Sequence, residues 1–106
     1  MTDNPRITAL QAMLERNPND PRVRFGLAAE YDKLELWEDV VAQLEHYLGM
    51  TDDQGNAWGR LGKALRHAGR VAESQAAYGK GIEAARRHGH PSMAQEFVET
   101  LEEFDR

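Results

Sequence analysis

Displaced by 34 residues, the chain falls onto itself, and no other feature limits its fold as much. The shift superposes Leu27 on Leu61, Ala28 on Gly62, Tyr31 on Leu65 and Trp37 on Val71. It then places Val40 on Ser74, Ala42 on Ala76, Leu44 on Tyr78 and Leu48 on Ile82. One step further back, Leu10, Met13, Leu14 and Pro18 stand where Leu44, Tyr47, Leu48 and Asp52 do. Toward the end the shift opens to 36, setting Ala94, Phe97, Val98 and Leu101 on Trp58, Leu61, Gly62 and Leu65. Strict identities are few; the order of large and small apolar positions is what repeats. A unit of this size cannot bury its apolar face alone, so the copies must stack.

The local signals within each copy are helical, and no stretch alternates with period two. Asn4–Pro5 and Asp20–Pro21 each join an N-cap residue to a proline whose missing N–H costs nothing at the first helical position. His90–Pro91 is a weaker form of the same signal. Gly49, Gly55, Gly69 and Gly89 fall between apolar-periodic segments and read as stops or turns. Six helices follow, at 5–16, 21–34, 37–48, 55–68, 71–87 and 91–104. Their short connections make chain neighbours antiparallel. The expected organisation is all-α: one domain over 1–106, with a half repeat at 5–16, repeats at 21–54 and 55–88, and a closing helix at 91–104.

The net charge of −5 conceals three blocks: −6 over residues 1–54, +5 over 55–90 and −4 over 91–106. An acidic, basic, acidic order favours local complementarity over nucleic-acid binding, which calls for a basic chain. The chain has no cysteine, which excludes disulfides, thiolate metal sites and a catalytic thiol. The opening MTDNPRITALQAML lacks the basic flank and apolar run of a signal peptide, and no apolar run reaches membrane-spanning length. The expected address is cytoplasmic, with no membrane partner.

Trp58, Leu61, Gly62, Leu65, Gly69 and Tyr78, set in a 34-residue period, resemble the tetratricopeptide repeat (TPR) with its W-x2-L-G motif, here in a small bacterial-type protein. In the first full repeat Leu27, Ala28 and Tyr31 fit, while Arg24 replaces the tryptophan and Glu35 the turn glycine. In the second, Leu65 stands for the usual tyrosine, Ser74 and Gly81 for the usual alanines, and the terminal proline is missing. The resemblance implies antiparallel helix-turn-helix repeats stacked as a short right-handed superhelix. Small Gly62 would sit where the helices of a repeat approach most closely, with Trp58 and Tyr78 filling the space between repeats. Gly79 and Gly81 each cost about 1 kcal/mol against alanine inside a helix. The segment YGKGI is therefore expected to be soft, unless the glycines admit the last helix.

Catalytic material is sparse. His88 and His90 form an H-x-H pair without Cys, Asp or Glu within four residues on either side, and read as solvated turn histidines rather than a metal site. TDDQGN at 51–56 lacks the rest of a calcium loop and reads as a turn capping the next helix. Ser74 and Ser92 have no base partner, and no Gly-rich phosphate motif occurs. No enzyme, no catalytic residue, no metal and no cofactor is expected.

A binding surface is the alternative. The resemblance implies that first helices line a concave groove holding peptides or protein segments. On helix 55–68, Asn56, Arg60, Lys63 and His67 form one narrow stripe away from Leu61, Leu65 and Ala68. Their equivalents one repeat earlier are Arg22, Gly26, Ala29 and Lys33, with Phe25 beside them, an aromatic that could equally be core. On the last helix Ser92, Glu96, Glu99 and Glu103 make an acidic stripe. The chaperone-tail clamp known in the family uses Lys, Asn and Arg at positions that here hold Phe25, Ala29, Arg60, Ser92 and Glu96. Only Arg60 is a cation and Glu96 would repel a carboxylate, so that activity is not expected. The leading expectation is an adaptor or scaffold for a protein or peptide partner, as a monomer or weak homodimer. A self-associating structural protein, favoured by any exposure of Phe97, Leu101 or Phe104, is the alternative. RNA binding through Arg60, Lys63, Arg66, Arg70, Arg86 and Arg87 is weaker still.

Overall fold

All three proline-led helix starts, at Pro5, Pro21 and Pro91, occur where the sequence sets them. The computed structural model describes residues 4–105. Its helices are α1 (Pro5–Arg16), α2 (Pro21–Lys33), α3 (Trp37–Met50), α4 (Asn56–His67), α5 (Val71–Arg87) and α6 (Pro91–Glu103). The Asn4 side chain accepts from the backbone N–H groups of Arg6 and Ile7, both at 3.1 Å, and Asp20 accepts from Arg22 at 3.0 Å. Each cap satisfies donors that the first helical turn leaves open. No strand occurs among the described residues.

Contacts gather into two compact units, the first ending at Thr51 and the second beginning at Asp52. In the first, α1 packs on α2 and α2 on α3. Val23, Leu27, Ala28, Val40, Val41 and Leu44 form its core. Helix α1 contributes no fully buried residue. Its Leu10 rests on Gly26, where a Cβ would stand 3.6 Å away. Arg6 Nε donates to Glu30 at 2.8 Å, and Gln11 donates to the Tyr31 hydroxyl at 3.1 Å.

In the second unit α4 packs on α5 and α5 on α6. Leu61, Leu65, Tyr78 and a run of alanines (Ala57, Ala64, Ala77, Ala84, Ala85, Ala94) fill the core. Ser74, at an alanine position of the repeat, is fully buried and donates to the Gly62 carbonyl at 2.6 Å. The hydroxyl is therefore satisfied and ties α5 to α4.

Three helix ends close in one way. The N–H of Leu36 reaches the carbonyl of Tyr31 at 3.0 Å, that of Arg70 reaches Leu65 at 2.8 Å, and that of His90 reaches Ala85 at 2.7 Å. Each closure needs a left-handed residue just before the donor. Gly69 (φ 80°) and Gly89 (φ 78°) meet that need without strain, whereas Glu35 adopts φ 56° with a side chain in place. The turn forms without glycine because the closure and the cores of α2 and α3 hold it.

Some boundaries depart from the sequence reading. Gly49 does not stop a helix: α3 continues to Met50, and Thr51 Oγ1 donates to the Tyr47 carbonyl at 2.9 Å at its end. Gly55, at φ 127°, is the N-cap of α4, and the helix expected to start there starts one residue later, at Asn56. The remaining ends move by at most one residue, within the fraying range of helix termini. Gly81 accepts the last helix closely, whereas Gly79 has nothing within 4 Å of a built Cβ. The exception expected for glycines that admit the last helix therefore holds at Gly81 and not at Gly79.

Candidate interaction groove

Helix α4 buries Ala57, Leu61, Ala64 and Leu65 and leaves Asn56, Arg60, Lys63 and His67 exposed. Three of these four enter a groove of about 400 Å³ in the second unit. Asn56, Arg60 and Lys63 form one wall, Met93, Glu96 and Thr100 of α6 the other, and Gly59, Tyr78 and Phe97 lie between. Arg60 Nε donates to Asn56 Oδ1 at 3.0 Å, which orients the guanidinium along the wall.

The aromatic floor exists because backbone is left bare beneath it. A Cβ on Gly59 would stand 2.6 Å from the Phe97 ring, and one on Gly81 would stand 3.0 Å from it. Phe97 of α6 thus sits in a notch cut by glycines of α4 and α5. A Cβ on Gly62 would come within 2.7 Å of the Tyr78 ring, so Tyr78 lies flat against α4. Tyr78 then contacts Phe97 and Phe104 at centroid distances of 5.7 and 6.1 Å. The Arg66 guanidinium covers Phe104 at 4.1 Å and pairs with Glu103 at 3.7 Å. Burial pushes the Tyr78 hydroxyl above its ordinary pKa.

The loop before α4 is fastened from two sides. Asp53 Oδ2 accepts from the N–H groups of Gly55 and Ala57 at 2.8 and 2.9 Å, the capping role expected of TDDQGN. Arg87 donates to Asp52 at 2.8 Å, and His90 meets Gln54 at 2.6 Å. His88 Nε2 is shielded from solvent and faces Asp52 at 3.2 Å, out of line for a hydrogen bond. His90 thus fastens the loop through Gln54, and His88 lies half-buried beside Asp52. Arg87, and then His88, hold the Asp52 carboxyl below its usual range. Among the described residues no group of three metal-ligating side chains converges.

No protein-family model matches the sequence. Over 100 residues the chain is 28% identical to the TPR repeat-containing protein PA0015 of Pseudomonas aeruginosa, covering 94% of this chain and 95% of that one. The chain is a distant relative of a tetratricopeptide-repeat protein. Its structure is also similar to the solution structure of protein BPP2914 from Bordetella parapertussis. There the TM-score is 0.79 at 26% identity, covering 100% of this chain and 90% of the other.

Gly62, at the glycine position of the W-x2-L-G resemblance, is the seat of Tyr78. The residues singled out from sequence divide between the units. Asn56, Arg60, Lys63 and Glu96 meet at the groove. His67 and Glu99 are exposed on the same helices without lining it, and Gln95 approaches Glu99 at 3.5 Å. In the first unit Arg22 is exposed and Ala29 half-buried. Phe25 packs against Tyr47 of α3, ring centroids 5.2 Å apart. Lys33 donates to Glu30 at 3.2 Å. Gly59, Tyr78, Met93, Phe97 and Thr100 were not singled out as groove residues. The one available hint is the first glycine in WGRLG, Gly59, which a helix tolerates only at a cost. Phe97, Leu101 and Phe104 are half-buried.

Proposed function

We propose that this protein is an interaction module whose second unit grips a peptide or protein segment in the groove between α4 and α6. The observation that carries the reading is one aromatic floor, Tyr78 with Phe97, between a wall bearing Arg60 and Lys63 and a wall bearing Glu96. Buried aromatic anchors supply affinity in such surfaces, and flanking charge supplies register and selectivity. Tetratricopeptide proteins in general mediate protein interactions, and the reading extends that role to this groove. It assigns no reaction to the protein. Arg22, Phe25, Ala29 and Lys33 of α2 form a second candidate surface, on the first unit. No described helix is long and apolar enough to cross a membrane.

The test compares capture from native lysate by the wild type and by an Arg60→Glu, Lys63→Glu variant of equal helicity. Partners lost by the variant support the groove, and the loss should be reproduced in the wild type by raising salt. Identical partner sets would move the site elsewhere, and a Phe25→Ala variant then examines α2.

A further inference from the structure

Among the described residues, two of the most exposed large apolar side chains sit on one turn. Leu34 is 38% exposed and Leu36 is 44% exposed, on either side of Glu35 between α2 and α3. Asp32, Glu35, Glu38 and Asp39 surround them, against the single cation Lys33. The turn is closed by the Leu36-to-Tyr31 hydrogen bond, so the two leucines are presented on a fixed backbone. A preordered segment loses little freedom on docking. Its central residue holds a left-handed conformation that glycine occupies at Gly69 and Gly89, yet here it carries a carboxylate. The groove of the second unit leans the other way: its lining carries Arg60 and Lys63 against the single carboxylate of Glu96. Its aromatic floor lies beside Arg60 and Lys63.

We propose that the groove of the second unit takes the α2–α3 turn of a second copy of this chain, Leu34 and Leu36 against Tyr78 and Phe97, with the turn carboxylates beside Arg60 and Lys63. The proposal rests on the groove reading above and names its occupant. A groove of about 400 Å³ is within the range that accepts a few side chains. Glu96 on the far wall opposes the acidic turn, which keeps the contact weak and reversible. Because turn and groove are different surfaces, the contact is heterologous, and copies add in series or close a ring.

Sedimentation velocity of the purified full-length protein over a concentration series at low salt tests this. The wild type should associate reversibly. Leu34→Ser with Leu36→Ser, and separately Lys63→Glu, should each weaken association about ten-fold or more. Each altered side chain is exposed, and circular dichroism verifies equal helicity. Glu35→Gly should weaken association while raising thermal stability, a pair of effects that a merely structural turn would not produce. Mixing the leucine variant with Lys63→Glu should restore one contact, because one copy keeps its groove and the other its turn. A monomeric wild type, association unchanged in either variant, or a mixture that stays monomeric would overturn the proposal. A monomeric wild type that still captures a foreign protein through Arg60 and Lys63 would remove the second copy as occupant and leave the groove reading standing.

Discussion

The two units use one spacing and close it differently. At the point where two helices of a repeat approach, the first unit has Ala28 with Leu44 one half-repeat on, and the second has Gly62 with Tyr78. The smaller residue in the second unit admits a ring, and the ring reaches Phe97 on α6 and Phe104 at its C-terminal end. The end helix α6 is thereby locked through apolar contact. By contrast α1, at the opposite end of the sequence, has no fully buried residue and holds on through Leu10, an Arg6–Glu30 pair and a Gln11–Tyr31 bond. A shared period specifies where helices pack, and the residue sizes at a few positions decide how firmly.

The largest expected effect breaks that contrast at its centre. Gly62→Ala forces a Cβ to within 2.7 Å of a buried ring that is itself boxed in by Phe97 and Phe104. It should destabilise the protein by about 1–3 kcal/mol. Adding Tyr78→Leu recreates the first unit's pair, and a double-mutant cycle by urea unfolding should show favourable coupling of about 1 kcal/mol or more. In the first unit Gly26→Ala meets Leu10 only at 3.6 Å, an ordinary contact. Better helix propensity should make it neutral or stabilising by up to about 1 kcal/mol. Equal effects at Gly62 and Gly26 would dissolve the distinction between the units.

A smaller effect is expected at the turns. Glu35 at φ 56° bears a steric cost that Gly69 at φ 80° does not. Glu35→Gly relieves that cost, partly offset by the extra freedom glycine gives the unfolded chain, for a net gain of about 1 kcal/mol or less. Gly69→Ala should lose a comparable amount, read from paired thermal melts.

The smallest effect concerns pH. Lys33 first, and then Arg6, hold the Glu30 carboxyl below its ordinary value of 4.5. The folded state binds the Glu30 proton less readily than the unfolded one. The contribution is therefore complete above the unfolded value and is lost as pH falls through the lower folded value. Hydrogen exchange should show α1 amides losing protection on acidification before those of α6, and Glu30→Gln should flatten that dependence. Simultaneous loss in both helices would mean that α1 is not held by this pair.

Much of this was legible in the sequence because it is local or strictly periodic. Asn4–Pro5 and Asp20–Pro21 announce their helices within three residues, Gly69 marks its turn, and Arg60 and Lys63 fall on an exposed stripe through helical geometry alone. The unread features join positions that the 34-residue period does not relate. Phe97 reaches Gly59 and Gly81, and Arg87 reaches Asp52, a separation of 35. A glycine inside a helix announces a cost without naming the ring that repays it, so Gly59 and Gly81 were ambiguous. Gly49 shows the opposite error: nothing approaches it, and α3 passes through because tertiary packing outweighs propensity.

The notch that receives Phe97 also bears on how such a chain can grow. A gene segment encoding α4 and α5 could be copied in tandem and keep its period. The copied helices would carry the two-glycine socket again, and each socket would require an aromatic from the helix that follows. At the shift of 36 that relates α6 to α4, Phe97 falls on Leu61, which offers no ring. The terminal helix is thus matched to its neighbours as a key is to a lock, and lengthening the array calls for a new pairing of bare backbone and ring at every added step.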